Sequence, residues 1–151
     1  MPSYNQILYH IVFRTKASEC VIPQEHEREL YAYILGVIKG RNCKLHRIGG
    51  MEEHIHILSD LHPSVSLADY IKEIKTASTR WMKQSGKFPY FNGWGTGYCA
   101  LTYSIKERKA VYEYIKNQRQ HHTKESFRDE IRRLFIDNDI QGDEKWFWKD
   151  E

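Results

Sequence analysis

The alternating segment His54-Ile55-His56-Ile57 constrains the fold of this 151-residue chain more than any other feature. Successive side chains of a β-strand point to opposite faces of a sheet, so both histidines lie on one face and both isoleucines on the other. The isoleucines belong in an apolar core, whereas two imidazoles on one face can converge on a single ion. The segment therefore predicts a strand with one buried apolar face and one face that carries chemistry.

Strand and helix patterns alternate along the rest of the chain. Apolar positions at period two predict four strands, and apolar positions at helical spacing predict two helices, in the order 4–15 (strand), 23–39 (helix), 43–48 (strand), 53–59 (strand), 66–84 (helix) and 98–103 (strand). Gly49-Gly50 is the predicted turn between the second and third strands. This order is typical of an α+β, ferredoxin-like or RRM-like sandwich, in which two helices pack on one face of a four-stranded antiparallel sheet. The first and third strands are then central neighbours, and the histidines lie mid-sheet on the face that those two helices leave uncovered.

A third helix carries a second pair of polar side chains. Ser104 and Glu107 have the spacing of a capping box, which predicts that a helix begins there and carries Tyr114 and Gln118. Residues four apart lie on one helix face, so the phenol and the amide are neighbours. A C-terminal helix is predicted near 124–137. Two imidazoles, one amide oxygen and a phenol together suggest metal-assisted phosphodiester chemistry with a covalent tyrosine intermediate.

Several segments resemble, in chain order, the signatures of one protein family. They are Tyr-His-Ile-Val-Phe at 9–13, Met-Glu-Glu-His-Ile-His-Ile-Leu at 51–58, Gly-Tyr at 97–98, Tyr-Ile-Lys-Asn-Gln at 114–118 and the stretch 121–127. The chain thereby resembles the HUH single-tyrosine transposases, which include insertion-sequence enzymes and relatives associated with repetitive extragenic palindromes. The likeness covers nearly the full length, and it implies a single HUH transposase domain over 1–151, with a core over about 4–120 and a helical extension over about 121–151.

The resemblance implies an enzyme that cuts and rejoins single-stranded DNA beside a hairpin, usually as a homodimer. Tyr114 corresponds to the catalytic nucleophile, and the metal ligands are His54, His56 and Gln118. Mixed nitrogen and oxygen ligation favours Mg²⁺ or Mn²⁺ over zinc. A tyrosine phosphodiester is an activated ester, so a DNA 3′-hydroxyl can attack it in return. Tyr103 and Tyr112 are rival nucleophiles, and whether one subunit or two compose the site stays open.

Bulk charge does not by itself predict a nucleic-acid partner. The formal net charge is +3, from 23 basic and 20 acidic residues. Basic, hydroxyl and aromatic side chains can contact phosphates or stack on unpaired bases, and the candidates for DNA binding are His10, Lys72, Lys75, Thr79, Trp94 and His121. For each of them, packing or a solvated surface is the alternative.

The sequence also sets expectations about what the protein lacks. The glycine-rich run Gly93–Gly97 leads into a predicted strand and not into a helix, which argues against a nucleotide cofactor. The chain has no apolar run of membrane-spanning length and no secretory signal, so we expect a cytoplasmic protein without a membrane partner. Two other functions stay open: a non-catalytic single-stranded nucleic-acid-binding module, and a metal-dependent hydrolase that uses water and in which Tyr114 is structural.

Overall fold

Four antiparallel strands form one sheet in the computed structural model, which describes residues 3–150. The strands are β1 (Tyr9–Arg14), β2 (Leu45–Gly50), β3 (His54–Ser59) and β4 (Cys99–Thr102). Their order in the sheet is β2-β3-β1-β4, so β1 and β3 are central neighbours, as predicted. β1 is shorter than the predicted strand because Tyr9 pairs with the last residue of both neighbouring strands.

Two helices cover the first face of the sheet. They are α1 (Glu27–Gly40) and α2 (Leu67–Ser85). The α1 residues Leu30, Ile34 and Ile38 recur every four positions, and they are buried in one cluster with Ile55 and Ile57 of β3. Each such side chain contributes about 1.5–3 kcal/mol when it is fully buried. The isoleucines therefore face the core, as their alternation with the histidines predicts.

Three shorter helices cover the second face. They are α3 (Arg108–Lys116), α4 (Gln118–His121) and α5 (Phe127–Asp137). The capping box of Ser104 and Glu107 is present, and the chain passes through one 3-10 turn before α3 begins. Asn117, with φ −98° and ψ 24°, separates α3 from α4, so the single helix predicted to carry Tyr114 and Gln118 is interrupted between them.

Gly49 allows α3 to approach the sheet closely. A Cβ atom at this position would lie 2.6 Å from the backbone carbonyl oxygen of Ile115. The predicted turn at Gly49-Gly50 is wrong, because both glycines are the last residues of β2 and the chain reverses over 51–53. The glycine at 49 is required by helix packing and not by a turn.

The C-terminal segment packs back onto the same chain. Phe147 joins the second-face core beside Val12 and Cys99. Arg14 is 1% exposed, and its guanidinium donates to the carbonyls of Phe147 at 3.1 Å and Lys149 at 2.9 Å and to the Asp150 carboxylate at 2.8 Å. Within residues 3–150, no helix combines the length and apolar character needed to cross a membrane.

Candidate active site

The two strand histidines lie side by side on the second face of the sheet. Both side chains are completely buried, and their ring centroids are 5.1 Å apart. The Nε2 atoms of His54 and His56 both face Oε1 of Glu130, at 3.5 Å and 3.3 Å. The period-two prediction that both imidazoles share one face is therefore confirmed.

Tyr114 and Gln118 converge on the same place from the α3–α4 segment. Gln118 Oε1 lies 3.2 Å from His54 Nε2, and the Gln118 amide nitrogen donates to Glu130 Oε2 at 3.1 Å. The Tyr114 hydroxyl donates to that same Glu130 oxygen. The two side chains remain neighbours despite the interruption at Asn117, because the backbone N–H groups of Asn117 and His121 still donate helical hydrogen bonds to the carbonyls four residues earlier. One chain thus brings together all four side chains.

Two residues at the centre of this site, His122 and Glu130, were not among those predicted from the sequence. His122 Nε2 lies 3.0 Å from Gln118 Oε1 and 3.0 Å from Glu130 Oε1. Glu130 itself has no solvent exposure. Its position between the buried Phe127 and Ile131 could have indicated a role, because a carboxylate on the apolar face of a helix is rarely buried unless it is paired. His122 follows Gln118 by four residues, a spacing that predicts neighbouring side chains on one helix face.

The charges of the site are set by burial and by the imidazoles around Glu130. Burial acts to raise the pKa of the Glu130 carboxyl, but His56, His122 and His54 outweigh it and hold that pKa well below its usual range. Burial lowers the pKa of His56, so that ring is neutral at pH 7. Burial also acts to lower the pKa of His122, but the bond to Glu130 outweighs it and raises that pKa. Burial, followed by the Glu130 charge, raises the pKa of Tyr114 well above its usual value, so the phenol is protonated.

Outer contacts fix the orientation of both strand imidazoles. Glu53 Oε1 lies 2.5 Å from His54 Nδ1, and the Phe127 ring stacks on His54 at 3.8 Å between centroids. His10 Nε2 is hydrogen-bonded to His56 Nδ1 at 2.8 Å. A carboxylate or ring partner on the far nitrogen is the arrangement that orients metal-binding histidines.

The donor set suits a cation. In the tautomer whose Nδ1 donates to Glu53, the Nε2 lone pair of His54 faces Gln118 Oε1 at 3.2 Å and Glu130 Oε1 at 3.5 Å. Lone pairs that converge in this way repel one another unless a proton or a metal ion lies between them. His54, His122 and Glu130 form one group of donor atoms that could hold a metal ion, and His121, Glu125 and Glu130 form a second.

A surface cavity of about 530 Å³ collects most of the residues predicted to contact DNA. Lys72, Lys75, Thr79 and Trp94 all line it. Lys72 is exposed and Thr79 is half-buried. Lys75, in contrast, donates to the carbonyls of Gly95 at 2.9 Å and Gly97 at 3.1 Å. Its ammonium group therefore holds the glycine-rich loop.

Trp94, His10 and His121 also have hydrogen-bond partners within the chain. Trp94 Nε1 donates to Ser78 Oγ at 3.0 Å, and its ring packs on Phe13. His10 is 1% exposed, so in this conformation its side chain contacts His56 and cannot reach DNA. His121 is half-buried and lines a cleft of about 340 Å³ together with Tyr114. The site and the 530 Å³ cavity are therefore distinct surfaces.

The fold and the four converging side chains define an α+β sandwich of the tyrosine transposase class. Residues 3–118 match the family described as "Transposase IS200 like", and the chain belongs to this family of enzymes. It is 27% identical over 118 residues to the ISDra2 transposase TnpA of Deinococcus radiodurans, covering 75% of this chain and 84% of that protein. It is 28% identical over 115 residues to the transposase for insertion sequence element IS200 of Salmonella typhimurium, covering 73% and 75%.

Two solved structures share the fold. One is a crystal structure of a protein assigned as a transposase from Deinococcus radiodurans, with a TM-score of 0.62 and 27% identity over 78% of this chain and 95% of that chain. The other is a REP-associated tyrosine transposase bound to a REP hairpin, with a TM-score of 0.60 and 16% identity over 95% and 93%. The ferredoxin-like fold predicted from the sequence is thereby confirmed.

Proposed function

We propose that this transposase cuts and rejoins single-stranded DNA beside a hairpin, through a covalent 5′-phosphotyrosine formed by Tyr114. The observation that carries the proposal is the convergence of Tyr114, Gln118 and the two strand histidines on one buried carboxylate. A structural tyrosine would need no such set of metal-binding donors beside its hydroxyl. The process served is DNA transposition or recombination.

A divalent cation, Mg²⁺ or Mn²⁺, is the proposed cofactor. His54, His56 and Gln118 would hold it, and the contact of His54 with Glu53 keeps the ligating nitrogen free of a proton. Bound there, the cation would neutralise the non-bridging oxygens of a phosphodiester and leave its phosphorus open to attack. The chemistry of the donor set supports this choice, because mixed imidazole and amide ligation leaves positions for water and phosphate.

Tyr114 is the proposed nucleophile. Its oxygen attacks phosphorus, the bond between phosphorus and O3′ breaks, and the products are a 5′-phosphotyrosine and a free DNA 3′-hydroxyl. The phenol proton must leave during the attack and a proton is needed on the departing O3′ oxygen; the hydrogen bond to Glu130 Oε2 orients the hydroxyl before this transfer. A 3′-hydroxyl can later attack the phosphotyrosine, so rejoining needs no ATP.

The scissile strand would reach Tyr114 through the cleft of about 340 Å³. Tyr114 is partly exposed there, whereas the two strand histidines are buried. Lys124 and His121 line the same cleft, where their nitrogen atoms can donate hydrogen bonds to a phosphate. Lys72 and Thr79, in the 530 Å³ cavity, are proposed to contact the DNA away from the cleavage point.

Hairpin recognition is supported by the fold shared with a transposase that was solved with a REP hairpin. The homodimer remains a prediction from the family resemblance. The tyrosine and the histidines of a single chain lie together, which supports a site composed within one subunit. A composite site would require the α3–α4 segment to leave its own sheet.

The test is cleavage of a 5′-labelled and a 3′-labelled hairpin oligonucleotide from the flanks of the gene, with and without Mn²⁺, on a denaturing gel. We expect a metal-dependent adduct with the wild type and with Tyr112→Phe, and none with Tyr114→Phe. Tyr112 is the matched control because it lies on the same helix and contacts Arg47 instead of the site. Cleavage by Tyr114→Phe would favour a water hydrolase, and tight binding without cleavage would favour a binding module.

A further inference from the structure

Glu130 lies at the centre of the site, and its two oxygens face different groups. Oε1 lies 3.0 Å from His122 Nε2, 3.3 Å from His56 Nε2 and 3.5 Å from His54 Nε2. Oε2 accepts hydrogen bonds from the Tyr114 hydroxyl and the Gln118 amide. The side chain is completely buried on α5, outside the matched family segment 3–118.

We propose that Glu130 is a carboxylate ligand of the divalent cation through Oε1, and that Oε2 positions the Tyr114 hydroxyl beside that cation. His122, on the same side of Oε1, completes the donor set. This inference rests on the proposed function, because it presumes that the site binds a cation. It extends the site from three ligands to five and adds the helix α5.

The separations between donor atoms support a shared ion. Two ligands that are each about 2.1 Å from one ion lie roughly 3.0 Å apart at a right angle and about 3.4 Å apart at a tetrahedral angle. The imidazole nitrogens of His122 and His54 lie 3.0 Å and 3.5 Å from Glu130 Oε1, and these three donor atoms form one group with the spacing of a metal site. The 3.5 Å separation between His54 Nε2 and Glu130 Oε1 is longer than an ordinary hydrogen bond. The two atoms therefore adjoin one space without bonding directly to each other.

The charge of the site gives an independent reason. Two imidazoles and one amide oxygen are neutral, so those three ligands alone would leave both positive charges of the cation uncompensated. His54, His56 and Gln118 are at most 1% exposed, and an unpaired charge at such depth is expensive. A carboxylate ligand supplies one negative charge, and carboxylate oxygens are the ligands that Mg²⁺ and Mn²⁺ prefer.

The second oxygen explains how the nucleophile is held near the cation. Glu130 Oε2 accepts from the Gln118 amide nitrogen, which turns Gln118 Oε1 toward His54 and the proposed cation. The same oxygen accepts from the Tyr114 hydroxyl, and Arg133 donates to that hydroxyl at 2.8 Å. One carboxylate thus fixes the amide ligand and the nucleophile in a single geometry.

The test is a Mn²⁺ titration of the DNA-free protein, with free Mn²⁺ measured by electron paramagnetic resonance. We expect one tight site in the wild type, no tight site in His54→Ala, and at least tenfold weaker binding in Glu130→Gln. Asp129→Asn is the matched control, since it removes one carboxylate from an exposed position on the same helix, and it should bind within twofold of the wild type. Equal or tighter binding by Glu130→Gln would overturn the inference, because a carboxylate that only blocks the site or only stabilises the core would give that result.

Thermal denaturation of each variant without metal controls for folding. If Glu130→Gln does not fold, Glu130→Asp keeps the charge with a shorter reach, and we expect weaker Mn²⁺ binding in it as well; wild-type affinity in that variant would overturn the inference. Failure of the proposed function has a different signature. Absence of Mn²⁺ binding in the wild type, or retained binding in His54→Ala, would overturn the metal site and the inference together. If the wild type binds Mn²⁺ and Glu130→Gln binds it equally tightly, only the inference about Glu130 is overturned and the metal site stands.

Discussion

Gly49→Ala should move the tyrosine helix, because a methyl group at this position has no room. The added Cβ would lie 2.6 Å from the Ile115 carbonyl oxygen and 3.2 Å from Ile115 Cγ2. Restoring an ordinary contact of 3.4 Å to the carbonyl requires a displacement of about 0.8 Å. Ile115 is the neighbour of Tyr114, so the displacement is passed directly to the proposed nucleophile.

The expected loss has two parts. Overpacking of this kind costs about 1–3 kcal/mol, which for a chain of this size lowers the melting temperature by about 2–12 °C. A displacement of nearly 1 Å at a reacting group should also slow adduct formation by about 10- to 100-fold at a temperature where the variant is folded. Circular dichroism gives the melting temperature, and a denaturing gel with Mn²⁺ and hairpin DNA gives the adduct rate.

Gly36→Ala is the matched control. Gly36 lies within α1, and a Cβ there would have no atom of another element within 4 Å. We expect this variant to be more stable than the wild type by about 0.5–1 kcal/mol and to keep its adduct rate. If Gly49→Ala melts within about 1 °C of the wild type and forms the adduct at the same rate, the methyl group does not displace α3.

Three further variants test other contacts. Arg14→Met loses the hydrogen bonds to the Phe147 and Lys149 carbonyls and to Asp150, so its unfolding free energy, measured by urea denaturation, should be about 2–4 kcal/mol lower. Trypsin should also remove the C-terminal segment of this variant faster. Burial, then neighbouring His56, lowers the pKa of His10, so the unfolded chain binds more protons and the unfolding free energy falls as the pH drops below about 6.5. His10→Gln should reduce the slope of the unfolding free energy against pH, between pH 7 and 5, by up to about 1.4 kcal/mol per pH unit. An unchanged slope, measured by urea denaturation at several pH values, would contradict this. Lys72→Ala should weaken hairpin binding in fluorescence anisotropy, and the slope of the log binding constant against the log salt concentration should become shallower by about 1. An unchanged slope would show that Lys72 does not contact the DNA.

The parts of the fold that follow from local patterns could be predicted from the sequence. Alternation at Ile55 and Ile57, the stripe along α1 and the capping box at Ser104 each depend on residues a few positions apart. The sequence also predicts that His54 and Gln118 belong to one kind of site, because each pair occupies one face of its own element, but it leaves open whether one chain brings them together, as it does here.

Other features depend on packing between distant elements. Glu130 enters the site only because α5 lies across the second face of the sheet, which no spacing within α5 specifies. The Gly49-Gly50 dipeptide is typical of a turn. The close approach of α3 to Gly49 depends on Ile115, which lies far along the chain. Lys75 and Trp94 have side chains suited to DNA, but the glycine-rich loop packs against α2, so Lys75 bonds to a loop carbonyl and Trp94 bonds to Ser78 of α2.

Mass spectrometry of the adduct identifies the residue that forms the covalent bond to DNA, which is Tyr114 in the proposed mechanism. Wild-type protein is incubated with hairpin DNA and Mn²⁺, and the adduct is digested with nuclease and trypsin. The tryptic peptide 110–116 contains both Tyr112 and Tyr114, so fragmentation of that peptide assigns the attached nucleotide to one of them. We predict a 5′-phosphate linkage on Tyr114; a nucleotide on Tyr112, on Tyr103 or on no tyrosine would contradict the account.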